Sequence, residues 1–260
     1  MSLLSTLNAF AVTSDLIQGE VPVEWSQGRT VYGGMTAALC LFAARQAAYD
    51  RPLRSAFIGF VGPSSGSLSV AAEQVRVGRN TSSIRARLGS ELGPGVESLF
   101  TFSANRASDL AHAGIEAPVA RPAPDAQALP FREGAPAFTR NLEFIWACDT
   151  IPFSGGSEPL VRAWVRHRDP ASRDHPVSLL CLADAQAPAI AASMKTLAPM
   201  SSMTWMIDFL EDESTTEDGW WLLESRTDFA RGGHSTQDMT IWNTSGACIA
   251  KGRQMITVFA

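Results

Sequence analysis

Residues Val31 to Tyr49 have the sequence VYGGMTAALCLFAARQAAY, an almost continuous apolar stretch that contains a glycine pair near its start. Its length and composition predict one long helix that is buried nearly all round. Arg45 and Gln46 interrupt the run, and no segment of the chain is long and apolar enough to predict a membrane span.

Four segments with strand-like composition follow this helix. They alternate apolar or small side chains with polar ones, and Gly-Pro, Gly-Arg-Asn and Gly-Pro-Gly turns separate them. The predicted strands are Arg54 to Val61, Ser67 to Val77, Ser83 to Leu88 and Ser98 to Ala104.

The second half of the chain repeats this plan. It predicts a second apolar helix, VSLLCLADAQA, with Asp174 as its N-cap and Pro176 in its first turn. A turn at Asn243 to Gly246 joins the last two predicted strands. The predicted strands of this half are Leu142 to Ala147, Leu160 to Arg168, Ser202 to Leu210, Trp220 to Phe229, Gln237 to Trp242 and Ala247 to Phe259.

Each half therefore offers one apolar helix and about four consecutive antiparallel strands. This order predicts an α+β fold, a tandem (double) hotdog, with two antiparallel sheets each wrapped around a central apolar helix. The expected division is an N-terminal hotdog at residues 1–107, an Ala/Pro-rich crossover linker at 108–140 and a C-terminal hotdog at 141–260.

Composition limits the possible functions. The 260 residues are 45% hydrophobic and carry a formal net charge of −5, which is typical of a globular protein and argues against nucleic acid as the main partner. The first residues lack the basic and apolar regions of a secretory signal, so a cytoplasmic protein is expected.

No cofactor or metal is expected. The four cysteines form no CxxC pair, and two of them lie within apolar runs, which favours reduced thiols over disulfides. The four histidines share no spacing typical of metal ligands.

Five segments resemble successive blocks of the acyl-CoA thioesterase II family and its thioesterase-like relatives. They are WSQGRTVYGGMTAAL, RAWVRHRDP, DHPVSLLCLADAQAPA, TWMIDF and GWWLLESRTDFARGGHSTQDMTIWNTSGACIAKGRQMI. The resemblance rests on the order and spacing of these blocks across nearly the whole chain. It implies a tandem hotdog fold, an acyl-CoA substrate that is hydrolysed to free acid and CoA, and a homodimer.

In that family an Asp, a Ser or Thr, and a Gln hold the attacking water. The resemblance places the Gln at Gln254 and the hydroxyl at Thr227, with Asp228 as the alternative alignment for a polar contact to substrate. It places the Asp position at Thr204, where a hydroxyl cannot act as a base near neutral pH. The resemblance therefore implies slow hydrolysis, a different base, or a protein that only binds acyl thioesters.

The residues themselves support part of this assignment. Strand alternation puts Gln254 in a small, apolar and therefore buried row, where an amide needs partners; it either serves the reaction or bonds to backbone. The same alternation directs Thr227 inward and Asp228 outward.

Asp184 is the best substitute for the missing base. It stands in LLCLADAQA, where burial of a carboxylate raises its pKa unless a partner compensates. Neighbouring backbone or an arginine such as Arg166 could be that partner. Gly33 and Gly34 begin the first helix, where unpaired N–H groups suit a carbonyl oxygen that becomes negative, although a tight turn explains them equally well.

Three functions are compatible with these residues. The first is hydrolysis of an acyl-CoA thioester by an activated water. The second is binding of acyl thioesters without turnover, and the third is another reaction on a CoA thioester, such as hydration.

Overall fold

A computed structural model of the chain describes residues 1–13, 16–48, 51–120, 126–212 and 214–259. Within these ranges there are three α-helices, α1 (Leu3–Asn8), α2 (Gly33–Ala47) and α3 (Ser178–Ala183), and five short 3-10 helices. The strands within the same ranges are β1 (Ala11–Val12), β2 (Leu16–Glu20), β3 (Ser26–Gln27), β4 (Thr30–Val31), β5 (Leu53–Phe60), β6 (Ser67–Val77), β7 (Thr81–Ser90), β8 (Gly93–Ser103), β9 (Leu142–Trp146), β10 (Leu160–His167), β11 (Met200–Phe209), β12 (Trp221–Arg231), β13 (His234–Trp242) and β14 (Cys248–Val258).

The long strands form one sheet rather than two. In the described part of the chain, twelve strands follow the order β1-β2-β6-β7-β8-β5-β11-β14-β13-β12-β10-β9. Strands β5 and β11 pair antiparallel at the centre and join the two halves, with Ile58 opposite Trp205. The prediction of two separate sheets is therefore wrong, because this central ladder makes the sheet continuous.

The predicted long strands are confirmed, with ends that shift by a few residues. Ser67–Val77 has the predicted bounds, and the turn at Asn243 to Gly246 joins β13 to β14. The sequence did not predict α1 or the short strands β1 to β4. These elements have too few residues for a periodic pattern.

Helix α2 is the predicted buried helix. Ten of its fifteen residues are buried, including Met35, Leu39 and Leu41, and the helix packs against β6, β7, β8 and α3. Alanine and leucine favour the helix, and burial of their apolar surface stabilises it against the sheet. The helix ends at Ala47, and the predicted end at Tyr49 lies outside the described residues.

Helix α3 is shorter than the sequence predicts. Turns occupy residues 173–177, Val177 is the N-cap, and the helix ends at Ala183. The prediction that Asp174 caps this helix is therefore wrong. Asp184 is the C-cap residue and not an interior residue of the helix, and the backbone N–H of the next residue, Ala185, donates to the carbonyl of Leu182.

The start of α2 is held against the end of α3. The Tyr32 hydroxyl donates to the Cys181 carbonyl oxygen over 2.7 Å, and the Tyr32 ring stacks on Phe138 with ring centroids 3.9 Å apart. A Cβ on Gly34 would overlap both the Cys181 carbonyl oxygen and the Tyr32 side chain. Gly34 therefore permits the close approach of the two helices.

Between β8 and β9 the described residues form no strand, and a short 3-10 helix, Ala137–Asn141, directly precedes β9. Ala117 and Val119 from this segment pack against a small apolar cluster formed by Trp164, Leu222 and Trp242. The domain boundaries at 107 and 140 stay a prediction. None of the described helices has the length and apolar composition needed to cross a membrane.

Gly34→Ala tests the contact between the helices. We expect a loss of at least about 2 kcal/mol in the free energy of unfolding, because the new methyl group must push the two helices apart. Gly59→Ala is the matched control: a Cβ there meets nothing closer than the Glu97 carbonyl oxygen at 3.6 Å, and a change below about 1 kcal/mol is expected. Equal denaturation midpoints for the two variants would contradict this account.

Candidate functional site

Four side chains form a row across the inner face of the sheet. Thr227 of β12 lies opposite Gln237 of β13, Gln237 lies opposite Gln254 of β14, and Gln254 lies opposite Trp205 of β11. All four are buried, and the two glutamines are only 2% and 3% exposed. From Trp205 the row continues across the ladder between β11 and β5 to Ile58, and beyond it to residues with smaller side chains.

On the other side of that ladder the row holds no carboxylate or amide. Ser98 of β8 lies opposite Ile58, and Ala86 of β7 lies opposite Ser98. Ser98 contacts the Cys40 thiol of α2, and burial raises the pKa of this thiol to about 12. Cys40 is therefore uncharged near neutral pH.

The two glutamines and Asp184 are joined by a chain of hydrogen bonds. The Ala189 N–H donates to Gln237 Oε1 over 2.8 Å, and Gln237 Nε2 donates to Gln254 Oε1 over 2.7 Å. Gln254 Nε2 then donates to Asp184 Oδ1 over 2.7 Å. The partners of the Gln254 amide are thus side chains, and not the backbone groups of the purely structural alternative.

Asp184 stands where the end of α3 meets the start of α2. Its carboxylate also accepts a hydrogen bond from the Gly34 N–H. Its other oxygen, Oδ2, faces Gly33, where a Cβ would lie 2.7 Å away. Arg166 is not its partner, since that guanidinium pairs with Glu143.

The pKa of Asp184 is raised to about 7. Burial is the main cause, because it penalises the charged form, and the hydrogen bonds from Gln254 and Gly34 oppose it. Part of the Asp184 surface remains accessible, as does part of Gly33. The carboxylate therefore changes its charge near neutral pH, on a residue that is not fully buried.

The titratable side chains next to Asp184, which are Tyr32 and Cys181, are uncharged near neutral pH. Burial is the main cause that raises the pKa of the Tyr32 hydroxyl and of the Cys181 thiol, and the negative charge of Asp184 raises both further. Neither side chain brings a positive charge that would lower the pKa of the carboxylate.

The structure brings together four of the predicted site residues: Asp184, Gln254, Gly33 and Gly34. Thr227 lies in the same row but one strand beyond Gln237, and its hydroxyl is 3.5 Å from that of Ser235. It is buried, as its strand phase predicts.

Thr204 and Asp228 lie outside this group. Thr204 precedes the buried Trp205, so its exposed side chain points to the outer face of the sheet. Asp228 is also exposed and forms a 3.0 Å ion pair with Arg253, while the Thr236 hydroxyl and Arg253 lower its pKa. The hypothesis that Thr204 stands at the carboxylate position is therefore corrected, because the carboxylate beside Gln254 is Asp184.

Sequence reasoning missed Gln237. Ser235, Gln237, Met239 and Ile241 are alternate residues of β13, and all four are buried. The same alternation that identified Gln254 could have identified this amide.

A metal centre has no support in the described ranges, where no group of three or more His, Cys, Asp or Glu side chains could hold an ion. The four cysteines are free thiols, two buried and two partly buried.

Two family models match the chain. Residues 21–104 match a model described as the acyl-CoA thioesterase N-terminal domain, and residues 116–258 match one described as the acyl-CoA thioesterase C-terminal domain. A search of curated proteins finds no significant match.

Solved structures share the fold. A hot dog fold protein of unknown function from Alicyclobacillus acidocaldarius has a TM-score of 0.87 at 19% identity, covering 100% of this chain and 99% of its own. A candidate thioesterase II from Thermobifida fusca YX has a TM-score of 0.81 at 17% identity, with 99% and 97% covered. The acyl-CoA thioesterase II TesB2 from Mycobacterium marinum has a TM-score of 0.76 at 16% identity, with the same coverage. The chain therefore has the hotdog fold.

The raised pKa of Asp184 has a consequence for stability. In the unfolded chain this carboxyl ionises near pH 3.8, whereas in the folded protein it ionises near pH 7. The folded state thus binds the proton more tightly, and stability falls as the pH rises through this window. Relative to Asp184→Asn, we expect the wild-type free energy of unfolding to fall by about 3–4 kcal/mol between pH 4 and pH 7.5.

Urea denaturation at several pH values measures this difference. Asp208→Asn is the matched control, since Asp208 is exposed on the outer face of β11 and its variant should keep the wild-type pH dependence. Parallel curves for wild type and Asp184→Asn would show that Asp184 ionises alike in the folded and unfolded chains.

Proposed function

Because this chain belongs to the acyl-CoA thioesterase family, we propose that it hydrolyses acyl-CoA thioesters at the Asp184–Gln254 pair. The observation that carries the proposal is a carboxylate with a pKa of about 7, on a residue that is not fully buried, bonded to a buried amide at the start of a helix. A general base works best when its pKa lies near the working pH.

Ionised Asp184 is the proposed base. Gln254 Nε2 and the Gly34 N–H hold the carboxylate in place, and its oxygen Oδ2 lies on the Gly33 side. A water bonded to that oxygen loses a proton to Asp184 as its own oxygen attacks the thioester carbonyl carbon. No different base is needed to replace Thr204.

The start of α2 is the proposed site for the carbonyl oxygen. The Gly34 N–H already bonds to Asp184, so this task falls to Gly33 and to the positive end of the α2 dipole. Gly33 has no side chain to fill the space, and the Phe60 ring lies 3.2 Å from where its Cβ would be.

The remaining steps complete the hydrolysis. The tetrahedral intermediate collapses as the C–S bond breaks and the CoA thiolate leaves. Asp184 returns the proton to the sulfur, which gives the free acid and CoA and restores the carboxylate. The proposal requires neither a metal nor a covalent intermediate on the enzyme.

The proposed homodimer rests on the family resemblance, and the proposed cytoplasmic location rests on the four free thiols. Among the described strands, β1 and β9 are the two edges of the sheet and would supply any strand pairing between subunits.

Substitution of the pair tests the proposal. We expect Asp184→Asn to lower kcat by ~10²–10⁴-fold, because the positioned base is lost, and Gln254→Ala to lower it by about tenfold or more. Thr204→Ala is the control on the outer face and should stay within about twofold of wild type. Wild-type kcat should rise with pH through a midpoint near pH 7, as Asp184 ionises.

A panel of acyl-CoA substrates with different chain lengths, with release of free thiol as the readout, provides the measurement. Turnover that survives Asp184→Asn would exclude the proposed base. Binding without turnover on every chain length would favour an acyl-thioester-binding protein instead.

A further inference from the structure

The orientation of the Gln254 amide matters for the charge of Asp184. A glutamine amide has a donating end, Nε2, and an accepting end, Oε1, and it can present either one to a neighbour. Here Nε2 faces the carboxylate, which stabilises the negative charge. Rotation of the amide would place Oε1 against the carboxylate and disfavour that charge.

Gln237 determines which end faces Asp184. Its Nε2 donates to Gln254 Oε1, so the Gln254 oxygen is held on the β13 side. Gln237 is itself fixed, because its Oε1 accepts from the Ala189 N–H, and a backbone N–H can only donate. A backbone donor next to β13 thus sets the direction of two successive side-chain amides.

Burial of both glutamines stabilises this orientation of the Gln254 amide. Gln237 and Gln254 are 2% and 3% exposed, so bulk water offers few competing partners. A reversed Gln254 amide would turn its donors toward the donors of Gln237 and leave buried groups unsatisfied, which costs about 1–3 kcal/mol for each group.

We propose that Gln237 is a positioning residue that fixes the orientation of the Gln254 amide and thereby sets the pH at which the Asp184 carboxylate becomes active. The inference rests on the proposed function for its link to catalysis, but not for its effect on Asp184. Gln237 contacts Gln254 and the backbone of Ala189, and it acts on Asp184 only through Gln254.

The other groups around Asp184 carry no charge, so the orientation of the Gln254 amide remains a main influence on the charge of this carboxylate. From α2 and the turn before it come the Gly34 N–H and the neutral Tyr32 hydroxyl, from α3 comes the neutral Cys181 thiol, and from β14 comes Gln254. The neighbours of Gln237 across the sheet are Thr227 and Gln254, which carry no charge.

Two variants distinguish the role of the accepting end of the Gln237 amide from that of its donating end. Gln237→Glu keeps an oxygen for the Ala189 N–H, but an ionised carboxylate cannot donate to Gln254 and instead attracts its Nε2. Gln237→Met introduces no charge and removes the donor, so it tests the orientation alone. Gln74→Glu on β6 repeats the charge change at a glutamine that bonds only to the Ala47 carbonyl, on another part of the sheet.

The primary measurement is the titration midpoint of Asp184, followed by ¹³C NMR of the aspartate carboxyl carbons and assigned with Asp184→Asn. We expect the midpoint to rise by about one pH unit in Gln237→Glu, by a few tenths of a unit in Gln237→Met, and by less in Gln74→Glu. Unchanged midpoints in both Gln237 variants would overturn the inference, whether or not the protein hydrolyses thioesters.

The kinetic measurement adds a readout that a general loss of structure would not produce. At pH 7 we expect Gln237→Glu to lower kcat about fivefold to tenfold with KM within about twofold, and the deficit should shrink above pH 8.5 as Asp184 ionises. A deficit that stays constant with pH would overturn the inference. If wild type shows no turnover, the proposed function fails, and the NMR midpoints still decide the role of Gln237.

Discussion

The close contact between the start of α2 and the end of α3 is the constraint on which the site depends. Gly34 has no side chain, so the Cys181 carbonyl and the Tyr32 ring can approach the α2 backbone. This approach brings the residue that follows α3, Asp184, to the first N–H groups of α2. A burial that raises the pKa of a carboxylate and a helix end that favours negative charge thus act on the same group in opposite directions.

The sheet supplies the other half of the geometry. The ladder between β5 and β11 makes the sheet continuous. The register of the next four strands then aligns four side chains in one row, which are Trp205 of β11, Gln254 of β14, Gln237 of β13 and Thr227 of β12. The order of the hydrogen bonds follows from this register, since each amide reaches the neighbouring strand. The helices position the Asp184 carboxylate, and the sheet positions Gln254, which donates a hydrogen bond to it.

Much of this arrangement could be predicted from the sequence, and the failures have physical causes. Strand alternation correctly indicated the burial of Gln254, and an apolar context correctly indicated a raised pKa for Asp184. The same alternation also puts Thr204 on the face opposite Trp205, but the resemblance of its segment to a family block led to the wrong interpretation. Strand phase was the better guide there.

Other features required tertiary information. The segment LLCLADAQA has a helical composition to its end, and nothing local shows that the helix ends at Ala183. The bond between Gln237 and Gln254 depends on the register of β13 against β14. The turn at Asn243 to Gly246 predicts that pairing in general, but a slip of one residue would turn one of the glutamines to the outer face.

The row across the sheet has unlike ends, and this has a consequence for symmetry. Ser98 and Gln254 occupy mirrored places about the Ile58–Trp205 pair, but Ser98 meets an inert thiol where Gln254 meets a carboxylate. An assembly of two identical half-length chains would have to repeat every residue on both sides of its axis. A single polypeptide that carries both halves is free of that requirement, so one half can place a carboxylate at this position while the other half keeps an uncharged thiol there.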